Sequence, residues 1–331
     1  MNNENSVKII GTGSYLPPKI VTNFDLEKIM HTTDEWIRSR TGIESRRVAD
    51  EKTATSDLAT IAARKALEDA NLMAEDLDLI IVATVTPDMM FPSTACLVQK
   101  NLEAGKAVAF DIEAACSGFL YALTIGEQFI KGGVYKNALI IGAETLSKIL
   151  DPEDRNTSVL FGDGAGAIVI QKTTDNTGIL SSYLGTDGSK GEVLKQPAGG
   201  SRIPSTYESV KDKLHYVKME GNEVFRFAVR IMGKAAMEAL KLSNIKIQDI
   251  DFLIPHQANI RIIEAAAKRL ELPMDKVYVN LDKYGNMSAA SVPVALDEAS
   301  KKGLLKKNDI VVLVAFGGGL TWASTVVRWS K

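Results

Sequence analysis

Cysteine and histidine are scarce in this chain of 331 residues, which holds two cysteines and three histidines. No Cys-x-x-Cys pair and no His-x-x-x-His spacing occurs among them, so the sequence offers no metal site of the usual kind. An excess of charge of one sign is also missing. The formal net charge is −2 with 24% charged residues, which excludes nucleic acid or a membrane surface as a global partner. No apolar run approaches the ~20 residues that span a bilayer. The N-terminal stretch MNNENSVKII lacks the basic and long apolar regions of a signal peptide, so a cytoplasmic protein is expected. What remains is an ordinary globular composition in which few residue types can carry chemistry.

The length exceeds the usual single-core size, so two domains or a fused pair of similar halves is expected. An internal repeat supports the second. ALEDANLMAEDLDLII, starting at Ala66, matches ALKLSNIKIQDIDFLI, starting at Ala239, at a constant offset of 173. KAVAFDIEAACSGFLYAL from Lys106 likewise parallels KVYVNLDKYGNMSAASVPVAL from Lys276, and an offset of 170 lays Asn286 on Cys116. The expected organisation is an N-terminal half over 1–175, an irregular connector or lid over 176–216, and a C-terminal half over 217–331. Such βαβ-rich halves pack through shared helices, bringing equivalent strand ends together.

Cys116 stands where an apolar strand, KAVAFDI, gives way to an apolar helix, SGFLYALTIGEQFI. A thiol at a helix N-terminus faces unpaired N–H groups and the positive end of the helix dipole, which favour the thiolate. Two residues of the second half are expected at the same pocket, Asn286 and His256, the latter ending the strand DIDFLIPHQAN at the position equivalent to Ala83. Cys, His and Asn together serve either a papain-like hydrolase or an enzyme in which His and Asn point donors at a developing oxyanion. The run AFGGGLTW favours the second, because Gly317, Gly318 and Gly319 let backbone N–H groups approach a carbonyl. Elsewhere, Gly11 and Gly13 are read as a tight turn rather than a dinucleotide loop, and Gly162, Gly164 and Gly166 as a turn before a strand.

AACSGF, GDGAGA, PHQAN, GNMSAASVP, FGGGLTW and DEWIRSRTGI, in this order, resemble the motif set of β-ketoacyl-[acyl carrier protein] synthase III, the initiating condensing enzyme of type II fatty acid synthesis. The resemblance implies an α/β, thiolase-like five-layered αβαβα fold from two duplicated halves, a homodimer and no cofactor, CoA thioester being a substrate. It implies that Cys116 takes the acyl group from acyl-CoA and that the N–H groups of Cys116 and Gly318 hold the first oxyanion. His256 and Asn286 would stabilise the enolate formed from malonyl-[acyl carrier protein]. Trp36 and Arg155 match the pair that sandwiches adenine, with Arg40 near the phosphates and Asn222 and Asn259 along the pantetheine arm. Phe316 matches the aromatic residue beside the site, and Phe91 the one that closes the partner's acyl pocket. Two basic rows, Arg226, Arg230 and Lys234, and Arg261, Lys268 and Arg269, are expected to dock the acidic carrier protein. The rival readings are a condensing enzyme of secondary metabolism and a Cys-His-Asn thioesterase. Met287 and the Met89–Met90 pair leave primer size open, and Pro293 leaves open where the helix after Asn286 starts.

Overall fold

Runs of two to eleven residues, the most apolar being LIIVA, FLIP and IVVLVAFG, form the strands of the computed structural model, which describes residues 6–331. The first five residues, which open the stretch where no signal peptide is expected, lie outside the described residues. In chain order the strands are β1 (Ser6–Tyr15), β2 (Lys19–Thr22), β3 (Ser45–Val48), β4 (Leu79–Ala83), β5 (Val108–Ile112), β6 (Asn137–Thr145) and β7 (Asp163–Thr173). They continue with β8 (Gly178–Thr186), β9 (Leu194–Lys195), β10 (Lys218–Met219), β11 (Phe252–Pro255), β12 (Ile310–Gly317) and β13 (Thr321–Arg328). The helices are α1 (Asn23–Glu27), α2 (Asp34–Thr41), α3 (Thr55–Ala70), α4 (Thr94–Leu102), α5 (Gly118–Lys131) and α6 (Arg155–Ser158). After them come α7 (Tyr207–Lys211), α8 (Gly221–Ser243), α9 (Ile260–Arg269), α10 (Leu281–Tyr284) and α11 (Ser291–Lys301).

One sheet has the order β1-β7-β6-β4-β5 and the other β11-β12-β13-β8. The pairs β4–β5, β4–β6 and β11–β12 are parallel. Val277 adds a parallel bridge to Leu253 where a fifth strand of the second sheet would lie. Between the sheets, α5 and α11 bury Phe119, Leu120 and Leu296 against strand residues of both, such as Ile140 and Leu313. Outside, α3 and α4 cover the first sheet and α8 and α9 the second. The layers therefore run αβαβα, the thiolase-like fold expected.

The repeat is visible in the backbone. The 3-10 turns Ala74–Asp76 and Ile247–Asp249 are 173 residues apart, and each follows a helix that ends on a left-handed asparagine, Asn71 at φ 52° and Asn244 at φ 56°. Asparagine tolerates that conformation better than other residues with a Cβ.

Several local readings are corrected. The stretch 176–216 is not irregular throughout, because β8 pairs with β13 as part of the second sheet; its mixed sequence GILSSYLGT fits its largely half-buried position. Gly11 and Gly13 lie inside β1, where a Cβ would stand 2.3 Å from Ala66 O and 2.4 Å from Ala62 O, so they admit α3 rather than form a turn. Gly164 and Gly166 similarly lie within β7 and receive Met287 and α11. Pro293 falls in the first turn of α11, where its missing N–H is tolerated. Strand β5, whose almost unbroken apolar run KAVAFDI is the pattern of a strand covered on both faces, is instead a half-exposed edge with Val108 48% exposed.

Gly142 of β6 is the tightest of these contacts, since a Cβ would stand 2.2 Å from the carbonyl oxygen of Ala289. Gly142→Ala is expected to cost about 1–3 kcal/mol by overpacking, read as a lower urea midpoint. An unchanged midpoint would mean that the two segments separate without penalty.

Candidate active site

Cys116 occupies a single 3-10 turn, Ala115–Ser117, between β5 and α5. Ala115 has φ 45°, a conformation that a residue with a Cβ keeps only when its surroundings hold it. The holders are visible. Glu113 Oε1 accepts the Ala115 N–H at 2.9 Å, and the Ser117 hydroxyl meets Ala114 O at 2.9 Å and Thr321 Oγ1 at 2.8 Å. From the other sheet, Gly317 at the end of β12 comes so close that a Cβ on it would stand 2.5 Å from Cys116 N.

The second half builds a matching turn, Ser288–Ala290, entered through Ser288 at φ 45°. These two unusual backbone positions, Ala115 and Ser288, are again 173 residues apart. The structural equivalent of Cys116 is therefore Ala289, and the offset of 170 that laid Asn286 on Cys116 is corrected. Extra residues enter the second half between its Val277 bridge and its turn, so Asn286 precedes the turn instead of occupying it. Its N–H donates to Leu160 O at 2.8 Å, its carbonyl accepts from Gly162 N at 2.9 Å, and its Oδ1 accepts from Ser288 N at 2.8 Å. With Oδ1 so engaged, Nδ2 is the donor this side chain has to offer.

His256 follows β11 and is fully buried, its N–H donating to Val314 O at 2.7 Å. Its ring stands edge-on to Phe316, with centroids 5.7 Å apart. Neither ring nitrogen has a protein partner, and burial lowers its pKa to about 3, keeping the ring neutral. Gln257 steadies the loop by donating to Pro255 O at 2.8 Å and Tyr278 O at 3.1 Å.

A cavity of about 840 Å³ reaches Cys116, Ser288, Gly318 and Gly319, with Val85, Phe110, Ile149, Phe161, Leu194 and Val217 among its apolar walls. Neither Asn286 nor His256 is among its lining residues: Asn286 is bonded to Ser288, which lines it, and His256 meets Phe316, two residues before the lining Gly318. The expectation of a ready thiolate needs correction. Burial pushes the Cys116 thiol up to about 12; the Ser288 hydroxyl and the residue's own N–H pull down, while Glu144 and Glu113 push up. Desolvation outweighs the favourable donors here, so the resting form is the thiol.

Two guanidinium groups lie over the Trp36 ring, Arg40 at 5.1 Å and Arg155 at 4.8 Å from its centroid. Asn259 caps α9 through Arg261 N at 2.9 Å and donates to Arg40 O at 2.9 Å. Asn222 is exposed at the start of α8. Arg226, Arg230 and Lys234 are exposed along α8, and Arg261, Lys268 and Arg269 on α9. The rows adjoin where Arg269 lies over Gly233, although Arg226 is paired with Glu223 at 2.6 Å and Arg261 donates to Ser39 O at 2.7 Å. Phe91 is 85% exposed and does not reach this chain's own cavity lining.

Two residues beside the thiol escaped the reading of the sequence, Ser288 and Glu144. The second had a signal, an acid closing the buried strand NALIIGAE.

Two family models described as 3-oxoacyl-[acyl-carrier-protein] synthase III match the chain, one over residues 110–188 and its C-terminal counterpart over 240–329. The chain is 64% identical over 323 residues to a β-ketoacyl-[acyl-carrier-protein] synthase III of Caldanaerobacter subterraneus, covering 98% of each. It is 60% identical to that of Clostridioides difficile, covering 97% of this chain and 98% of the other. Among solved structures, 3-oxoacyl-[acyl-carrier-protein] synthase III from Aquifex aeolicus superposes with a TM-score of 0.91 at 51% identity, covering 98% of this chain and 100% of the other.

Because burial depresses its pKa, His256 is expected to stay neutral from pH 8 to pH 5, whereas an unperturbed imidazole titrates near 6.5. With three histidines in the chain, ¹³C-labelled imidazole resonances assigned with His256→Gln would test this. A His256 resonance that moves through pH 6.5 would contradict a dry, neutral ring.

Proposed function

The chain belongs to the β-ketoacyl-[acyl-carrier-protein] synthase III family, and on that premise we propose that it joins an acyl-CoA primer to malonyl-[acyl carrier protein] by decarboxylative condensation, initiating fatty acid synthesis. The observation that carries the residue roles is a buried histidine with both ring nitrogens unpartnered, next to the strand end that abuts a thiol at a cavity. In the first half-reaction Cys116 Sγ bonds the acyl carbon, CoA departs as its thiol, and the N–H groups of Cys116 and Gly318 hold the oxyanion. In the second, the malonyl group loses carbon dioxide. His256 and Asn286 Nδ2 stabilise the resulting enolate, its carbon attacks the Cys116 thioester, and the thiol is released. A neutral, preorganised donor pair in a dry site needs no reorganisation as charge develops. Decarboxylation supplies the carbanion, so the scheme uses no cofactor.

For the CoA end, adenine would be held between Trp36 and Arg155, with Arg40 near the phosphates, Asn222 and Asn259 along the arm and Phe316 beside the site. The exposed basic rows on α8 and α9 fit an acidic carrier protein. The exposure of Phe91, Met90 and the β5 edge residue Val108, at 85%, 78% and 48%, supports a homodimer that covers them and brings Phe91 to the partner's pocket. The compartment proposed is the cytoplasm; no described helix is long and apolar enough to cross a membrane.

Intact-mass spectrometry after mixing with acetyl-CoA or isobutyryl-CoA is expected to give an adduct that Cys116→Ala lacks, that survives in water and that malonyl-[acyl carrier protein] discharges. Loss to water alone would indicate a thioesterase, and discharge only by malonyl-CoA an enzyme of secondary metabolism. His256→Ala and Asn286→Ala are each expected to slow condensation about 10²–10³-fold while sparing adduct formation; equal loss in both steps would refute that division. Phe91→Asp is expected to shift the protein from dimer to monomer in analytical ultracentrifugation, and a wild-type monomer would refute the dimer.

A further inference from the structure

Glu144 is a fully buried carboxylate that the scheme above does not use. It closes β6 and accepts from the Thr86 hydroxyl at 2.6 Å, the Thr84 hydroxyl at 3.2 Å and the Val85 N–H at 3.1 Å. Thr84 and Val85 line the cavity. The repeat places Glu144 pointedly. β4 pairs with β6 at Leu79–Ala138, as β11 pairs with β12 at Phe252–Val311, so the offset of 173 holds and Glu144 is the counterpart of Gly317. Gly317 abuts the Cys116 turn, and on β6 Gly142, two residues before Glu144 and on the same strand face, abuts Ala289 O, so Glu144 faces the Ser288 turn. The Ser288 hydroxyl, buried and without a well-aligned partner, acts on the Cys116 thiol and the Glu144 carboxylate alike.

We propose that Glu144 is a positioning residue for acyl transfer: it holds the end of β4 beside the Ser288 turn, and its charge sets the pH range over which Cys116 is acylated. The argument rests on Cys116 as the acyl acceptor. In that step the Sγ–H bond breaks, Sγ bonds the acyl carbon, the acyl–CoA bond breaks and the proton ends on the CoA thiol. A negative charge behind the thiol opposes every state in which sulfur carries negative charge. Burial raises the Glu144 pKa to about 7, so the opposing charge is absent below that pH and present above it. Other charged or titratable groups surround the pair. Glu113, before the Cys116 turn, opposes the thiolate in the same sense. Asp163 on β7 is held by Ser147 and the Ala49 N–H, and burial raises its pKa as well. His256 beyond β11 is neutral, and α3 contributes the Thr55 hydroxyl, bonded to Thr145 and Thr86.

The test is the rate of Cys116 alkylation by iodoacetamide, and of acylation by acetyl-CoA, from pH 5.5 to 9.5. It uses a Cys96→Ser background because Cys96 is exposed. Glu144→Gln is expected to match the parent below pH 6 and to react roughly three- to tenfold faster above pH 8, an advance of about half to one pH unit. A variant-to-parent ratio that is constant with pH would reduce Glu144 to a structural role, and a variant slower only above pH 7 would make it a proton acceptor; either overturns the proposal. Should Glu144→Gln not fold, the parent profile decides. A slope that flattens near pH 7 and recovers above it supports the proposal, and a single straight rise overturns it. Acetylation that persists in Cys116→Ala would instead refute the nucleophile itself, a failure separable from that of Glu144.

Discussion

The active site depends on two strained turns, each received by a gap in the opposite half. The Cys116 turn is admitted by Gly317 of the second sheet and the Ser288 turn by Gly142 of the first, at separations that no side chain could share. Positive φ at Ala115 and Ser288 costs free energy, and it persists because the facing strand, the hydroxyl anchors and the helix that follows leave each turn no alternative. The halves are thus interlocked at the point where their chemistry differs, one presenting a thiol and the other the residue before its turn, Asn286.

Burial follows from this interlocking. With Gly142 and Gly317 bringing backbone against backbone, the groups around the two turns are enclosed by protein, and His256, Glu144 and Cys116 are all shifted by desolvation toward their uncharged forms. Such a site is poor at holding charge at rest. It is correspondingly good at stabilising charge that appears during reaction, because donors there face no competition from solvent. The same physics explains why the helix after Cys116 does not by itself keep a thiolate: the dipole acts on a sulfur that burial has already disfavoured as an anion.

Much of this was legible in the residues. The offset of 173, the strand-to-helix position of Cys116 and the strand end at His256 follow from periodicity and repetition, whereas the αβαβα layering is what the resemblance to the synthase family implies. Contacts made by absent atoms were harder to read. Gly11, Gly13, Gly164 and Gly166 look like turn residues in isolation, and only the segments packed across them, α3, Met287 and α11, show that they are strand residues without a Cβ. β8 was hidden because a half-exposed strand need not be apolar, and the 170 offset misled because matching letters do not locate an insertion. Positive φ at Ala115 and Ser288 does locate it.

That insertion is where the duplication stops being symmetric. In the first half β5 is a full strand that leads directly into the Cys116 turn and leaves an open apolar edge. In the second its equivalent shrinks to the bridge at Val277, and the residues gained run through Tyr278, Asn280 and Tyr284 to Asn286. A longer path must satisfy its own polar groups, and Glu298 of α11 does so, accepting from Tyr278 at 3.1 Å, Asn280 at 2.8 Å and Tyr284 at 2.7 Å. One carboxylate thereby fixes the approach to Asn286 from the helix that the Ser288 turn opens. The half with the full strand carries the nucleophile and the exposed edge; the half without it exchanges the edge for a braced loop and a hydrogen-bond donor.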